Sequence, residues 1–226
     1  MSSVADHLDT IHAKIAAACE RSGRIAAEVE LLAVSKTFPA AVIQEAVDAG
    51  QTLFGENRVQ EVLGKIPQLP AHLRWHLIGP LQSNKVRKIL PHVEAIHSVG
   101  TIEIAADIQR IATELDLRPL VYLEINLAEE STKHGFCLKD LPTQIGKLLS
   151  MDRLKIQGLM CIPPFDPDPE ASRRYFTQLR EQRDHLQTTA GCLLPGLSMG
   201  MSHDYAVAIE EGATIVRVGS AIFGGR

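Results

Sequence analysis

The chain has 226 residues, 45% of them hydrophobic, with 27 acidic and 23 basic side chains. That length fills one well-packed domain or two small ones, and the apolar share is that of a globular protein. A net charge of −4 offers no basic field for nucleic acid, no apolar run is long enough to span a membrane, and residues 1–6 lack the features of a secretory leader; a cytoplasmic protein is expected.

Leu8, Ile11, Ile15 and Ala18 recur at helical spacing and predict a helix over 4–21. An apolar run at 29–35 reads as a buried strand and delivers Ser35-Lys36-Thr37-Phe38-Pro39. Strand candidates continue at 52–55, 74–79, 95–99, 120–126, 155–161, 196–199 and 214–219. Helix candidates lie between them at 40–49, 59–66, 84–90, 101–115, 138–149, 168–188 and 203–211, the first of these ending at Gly50, a residue suited to helix termination. Eight strands separated by helices predict a single closed parallel (β/α)8 barrel over residues 1–226, preceded by one extra helix. The runner-up is an open doubly wound sheet, but no glycine-rich dinucleotide fingerprint follows the first strand. The proline-rich segment 162–169 reads as a loop too short to divide domains.

Cys19, Cys137, Cys161 and Cys192 are scattered and read as reduced thiols. His72 and His76 are four apart, but the second falls in a predicted strand, so no metal site is expected. Lys85-Val86-Arg87-Lys88 has no interleaved aromatics and reads as a solvated face.

A lysine at the C-terminal lip of a buried strand either snorkels to water or works as a nucleophile; burial favours the uncharged amine that adds to a carbonyl. The ends of barrel strands converge on one face, where active sites lie. Read along those ends, the chain offers Lys36, Asn57, His76, His97, Asn126, Ser198, Ser202, Arg217, Gly219 and Ser220. The small residues of 198–202 lead into a predicted helix, and Gly219-Ser220 follows the last strand; together they suggest a phosphate site between the loops after strands seven and eight. A reactive lysine facing a phosphate site implies pyridoxal 5'-phosphate or a phosphorylated sugar. Arg217 favours the first, because a guanidinium set against a pyridine nitrogen has no proton to accept and leaves the ring a weak electron sink.

The segments Ala33-Val34-Ser35-Lys36-Thr37, Phe54-Gly55-Glu56-Asn57, Trp75-His76-Leu77-Ile78-Gly79, Leu81-Gln82-Ser83-Asn84-Lys85, Leu197-Ser198-Met199-Gly200-Met201-Ser202 and Val216-Arg217-Val218-Gly219-Ser220 occur in order along nearly the whole chain. In these motifs it resembles the YggS/PROSC family of pyridoxal phosphate homeostasis proteins. The resemblance implies an alanine-racemase-like TIM barrel of PLP fold type III, with pyridoxal 5'-phosphate held as an internal aldimine on Lys36. It implies Arg217 as partner of the pyridine nitrogen, and Ser202, Gly219, Ser220 and Ser198 as phosphate contacts. It further implies Asn57 and His76 beside the ring, and Lys133 as an accessory lysine at the mouth that assists cofactor loading or release. Gly100 and Arg58 depart from the aspartate and tyrosine common in the family, both at the periphery.

Two functions follow from different classes. One is a carrier that buffers the cofactor and hands it to apo forms of PLP-dependent enzymes, as a monomer or weak homodimer. The other is an amino-acid racemase or decarboxylase. The chain ends at Arg226, directly after the eighth-strand motif, so the β-rich domain that completes related fold type III enzymes is expected to be absent. A racemase also needs two bases on opposite faces of its substrate, and Lys36 supplies one. The carrier with at most weak side activity is the expected function.

Overall fold

A strand buried on both faces reads as an unbroken apolar run, and it is stable only between two packed layers. The computed structural model describes residues 3–128 and 134–225. Its strands are β1 (Glu30–Val34), β2 (Leu53–Glu56), β3 (Arg74–Leu77), β4 (Ala95–Val99), β5 (Leu120–Asn126), β6 (Phe136–Cys137), β7 (Lys155–Met160), β8 (Gly196–Met201) and β9 (Ile215–Val218). All pairings are parallel, and they run β4-β3-β2-β1-β9-β8-β7-β5 with β4 also paired to β5, which closes an eight-stranded barrel. The short β6 lies beside the end of β5 and takes no other place in the sheet.

Helices α1 (Val4–Arg21), α2 (Ala40–Asp48), α3 (Val59–Lys65), α4 (Val86–Ile89), α5 (Ile102–Glu114), α6 (Leu141–Leu149), α7 (Arg173–Ala190), α8 (Tyr205–Glu210) and α9 (Ser220–Phe223) accompany the strands. The N-terminal helix α1 is set by a capping box: Ser3 Oγ accepts from the Asp6 N–H, and the Ser3 N–H donates to the Asp6 carboxylate. Leu8, Ile11, Ile15 and Ala18 form its buried face, which packs against α8 and α9 at the end of the barrel sequence. Among the described residues no helix is long and apolar enough to cross a membrane.

The predicted strands all form, and the differences lie in the helices. The helix expected over 84–90 shrinks to α4, flanked by 3-10 turns at Ser83–Lys85 and Leu90–His92, because Pro91 supplies no N–H to continue the ladder. The helix expected from residue 168 begins at Arg173, after a 3-10 turn Pro169–Ser172 capped by Asp168. Neither β6 nor α9 was expected; two and four residues carry no readable period.

Most of the apolar core lies between strands and helices. The barrel interior holds a smaller apolar set, including Leu32, Val34, Leu53, Ala95, Met160 and Ile215. Glycines shape that interior where strands come close. Gly158 and Gly196 are paired partners on β7 and β8, and a Cβ on Gly158 would overlap the Gly196 carbonyl oxygen. A backbone atom in a closed sheet cannot step aside. Gly158→Ala should therefore lower unfolding free energy by about 1–3 kcal/mol, the usual cost of overpacking, read as an earlier denaturant midpoint with an unchanged slope. An unchanged midpoint would show that β7 and β8 can move apart there.

Candidate functional site

Strand parity decides which side chains enter the barrel. On β1, Leu31 and Ala33 join the outer core while Leu32 and Val34 join the inner cluster, so Lys36, two residues beyond Val34, points to the mouth. On β9, Ile215 is inner and Val216 outer, which puts Arg217 inside. At this mouth lies a cavity of about 320 Å³, and Lys36 and Arg217 both line it. Asn57 and Ile78 border it from the ends of β2 and β3, and Met201, Ser202 and His203 from the end of β8. Gly219, Ser220 and Gly224 close the side formed by α9.

The turn that carries Lys36 is clamped from outside the barrel. Thr37 adopts a positive φ of 69°, an uncommon conformation for a non-glycine residue, and its N–H donates to Glu61 at 2.7 Å. Ser35 Oγ donates to Glu56 Oε1 at 2.6 Å, and Lys65 Nζ donates to the same oxygen at 2.6 Å and to the Ser35 carbonyl at 2.9 Å. Glu56 is fully buried, and burial raises its pKa above the ordinary carboxylate value while Lys65 and Ser35 pull it back.

Arg217 is held just as firmly. Its Nη1 donates to Ser198 Oγ at 2.6 Å and its Nη2 to the Cys161 carbonyl at 2.8 Å. Burial depresses its pKa, yet a guanidinium keeps its proton in proteins, so Arg217 offers only donors. Burial pushes the Cys161 thiol up to about 12, which leaves it neutral beside Arg217. On the far side, Ser202 Oγ accepts from the Gly219 N–H at 3.2 Å and the Ala221 N–H at 3.4 Å. Gly219 lies close to β1: a Cβ there would be 3.1 Å from the Val34 carbonyl oxygen, tighter than ordinary contact. With Ser202 Oγ accepting from those two N–H groups, its own proton is free to give, and the hydroxyls of Ser202 and Ser220 make a polar edge suited to a phosphate.

Of the residues read from sequence, Lys36, Asn57, Ser202, Arg217, Gly219 and Ser220 come together around the cavity. His76 and Ser198 do not line it. Both point inward but lie deeper in the barrel, where Ser198 holds Arg217 and His76 contacts His97 at 2.9 Å. Lys133 lies outside the described residues. Sequence reasoning missed Phe38, Ile162 and His203 in the lining, and the Glu56–Lys65 clamp. His203 was legible as the residue next to Ser202; the clamp pairs a strand with a helix nine residues on and leaves no local signal.

A closed parallel barrel with a lysine at the lip of its first strand and an arginine inside its last defines an alanine-racemase-like barrel. Residues 7–226 match the family described as alanine racemase, N-terminal domain. The chain belongs to the pyridoxal phosphate homeostasis proteins of that family. Such a protein from Aquifex aeolicus is 45% identical over 222 residues, covering 98% of this chain and 97% of that one. Another from Pseudomonas aeruginosa is 43% identical over 230 residues, covering 100% and 97%. Among solved structures, PipY of Synechococcus elongatus with PLP bound is 39% identical with a TM-score of 0.87, covering 98% of this chain and 100% of that chain. An alanine racemase of Clostridium difficile shares the fold at a TM-score of 0.74 and 16% identity; the match takes in 88% of this chain but 56% of the racemase.

Proposed function

We propose that this chain, as one domain over residues 1–226, binds pyridoxal 5'-phosphate, anchors it on Lys36 and holds it in reserve. Apo forms of PLP-dependent enzymes are the proposed recipients, and the cytoplasm the proposed compartment. The observation that carries the reading is the convergence of Lys36, Arg217 and the Ser202–Gly219–Ser220 edge on one cavity of about 320 Å³. The residues fit the group: a primary amine, a donor-only cation and an edge of serine hydroxyls border a space of small-ligand size. When bound, the cofactor supplies an aldehyde able to condense with a primary amine. Lys36 offers that amine, Ser202 and Ser220 their hydroxyls to the phosphate, and Arg217 its N–H groups to the ring nitrogen, while Asn57 borders the ring. The names of the relatives and the PLP-bound PipY structure support this reading.

A reserve protein rather than a racemase or decarboxylase is supported by the lining. Among the described residues there, Lys36, His203 and Arg217 are the ionisable side chains, and Arg217 offers only donors. Tyr205, the tyrosine closest to the mouth in sequence, is buried outside the lining, and burial raises its pKa. His203 rests against the exposed Phe165, with ring centroids 5.6 Å apart, at a mouth open to water.

Borohydride reduction of the cofactor-loaded protein followed by peptide mass spectrometry tests the reading. The expected product is a phosphopyridoxyl mark on the Lys36 peptide. No mark after incubation with pyridoxal 5'-phosphate would remove the function. Exchange of the α-proton of L-alanine in D2O separates the two classes. Little or no exchange is expected, and fast exchange lost in His203→Ala would make the protein an enzyme.

A further inference from the structure

The barrel interior carries a polar column that the cofactor site does not explain. His76, His97, Ser198 and Arg217 are 2%, 0%, 0% and 4% exposed, inside a barrel whose inner cluster is otherwise apolar, Tyr122 included. They are joined end to end. Arg217 Nη1 reaches Ser198 Oγ at 2.6 Å, Ser198 Oγ reaches His97 Nδ1 at 2.8 Å, and His97 Nε2 reaches His76 Nδ1 at 2.9 Å. The His97 ring packs on Tyr122 with centroids 4.4 Å apart. Beyond His76, its Nε2 faces Glu94 Oε2 at 3.8 Å, too far for a hydrogen bond. Glu94 itself is gripped by Arg74 at 2.6 and 3.0 Å.

The direction of the bonds in this column follows from Arg217 and from where the Ser198 proton can go. Arg217 can only donate, so Ser198 Oγ accepts from it and still has its own proton to place. Among the described residues His97 Nδ1 is the other group bonded to that hydroxyl, and a bare Nδ1 gives the buried proton its acceptor. His97 then carries its single proton on Nε2 and donates it to His76 Nδ1. His76 in turn holds its proton on Nε2, toward Glu94. A second proton on His97 would place a cation close to the Arg217 guanidinium in a buried site. Burial first, and with it the Arg217 charge, hold His97 neutral.

We infer that Ser198, His97 and His76 are positioning residues for Arg217: a one-way hydrogen-bond column anchors the guanidinium from inside the barrel, so that its remaining donor edge faces the ring end of the bound cofactor. The inference rests on the functional reading above and deepens it. Bonds linked in this way polarise one another in the same sense, from the Arg217 cation toward the Glu94 anion. Aliphatic side chains would fill the same volume at less desolvation cost, so packing alone does not call for three linked polar groups.

Two measurements test it. In ligand-free protein labelled with 15N-histidine, long-range 1H–15N correlation should show His97 protonated on Nε2 and bare on Nδ1. A proton on Nδ1 would overturn the column, whatever the protein binds. In the second, Ser198→Ala and His97→Phe are loaded with pyridoxal 5'-phosphate. Both should shift the bound cofactor's absorption band and weaken its dissociation constant about tenfold, the scale of one buried hydrogen bond to a charged group. An unchanged band and constant in both variants, with wild-type circular dichroism, would reduce the column to packing. Should these fold poorly, His76→Phe at the far end carries the same readout. Failure of the wild-type protein to take up the cofactor would sink the functional reading instead, and leave the tautomer result standing.

Discussion

Lys36→Ala should abolish the borohydride-stable adduct completely while leaving thermal stability close to that of the parent protein. The loss is chemical: no other amine among the described residues lines the cavity. The fold is spared because the turn is not built on the Lys36 side chain. The Thr37 N–H, the Ser35 hydroxyl and the Ser35 carbonyl make its bonds to Glu61, Glu56 and Lys65. The side chain is half-buried at a cavity wall, so truncation enlarges a space already present rather than opening a void in packed core. The proposed phosphate edge at Ser202, Gly219 and Ser220 stays in place, so weak, reversible uptake of the cofactor should persist in equilibrium dialysis. Peptide mass spectrometry after reduction reads the first effect and a melting curve the second. A full adduct on another lysine would move the anchor; a collapsed melt would make Lys36 part of the scaffold.

The fold was legible because the strands of a closed parallel barrel are buried on both faces. Val121, Leu123 and Ile125 meet the outer core while Tyr122 is inside, so β5 appears as an apolar run over 120–125 interrupted at Glu124. Six of the site residues were legible because a barrel brings strand ends to one rim, whatever their distance in sequence. Depth was not. Parity places His76 and Ser198 inside, but gives no measure of how far below the rim a side chain sits. The strands tilt, and the bulges between Ser198 and Met201 and between Ile96 and Val99 shift the register further. The helical edges failed for a different reason: local proline chemistry at Pro91 and Pro169 overrode the apolar period.

Two networks hold the site from opposite sides of one sheet. The column inside the barrel fixes Arg217, and the Glu56–Lys65 clamp outside it fixes the turn of Lys36. Both spend buried polar groups where aliphatic packing would serve stability better. The first ends on Arg217, which faces the cavity, and the second on Ser35 and Thr37, which flank Lys36. Anchored on strands and on α3, they hold the two ends of the proposed cofactor site at a set separation.

The outer clamp predicts a large, pH-dependent loss of stability. Lys65→Met keeps the aliphatic stem of a buried side chain and removes the cation. Glu56 then retains only Ser35 as a partner, and its Oε2 already has none among the described residues. Breaking a buried pair on one side costs about 3–5 kcal/mol, chiefly for the charge left behind. The sign with pH follows from Glu56. Burial already raises its folded pKa above the ordinary value of 4.5, and loss of Lys65, which lowers it, raises it further. A folded state that binds its proton more tightly than the unfolded chain loses stability as pH rises through that window. The deficit of Lys65→Met relative to wild type should therefore be small near pH 4.5 and reach its full size above the raised pKa, with urea unfolding at both pH values as the measurement. Lys65→Met, Glu56→Gln should recover part of the loss at neutral pH, since the double change removes the stranded charge. A deficit that is the same at both pH values, or a double variant no better than the single one, would mean that Lys65 acts through its contact with the Ser35 carbonyl and not through the Glu56 charge.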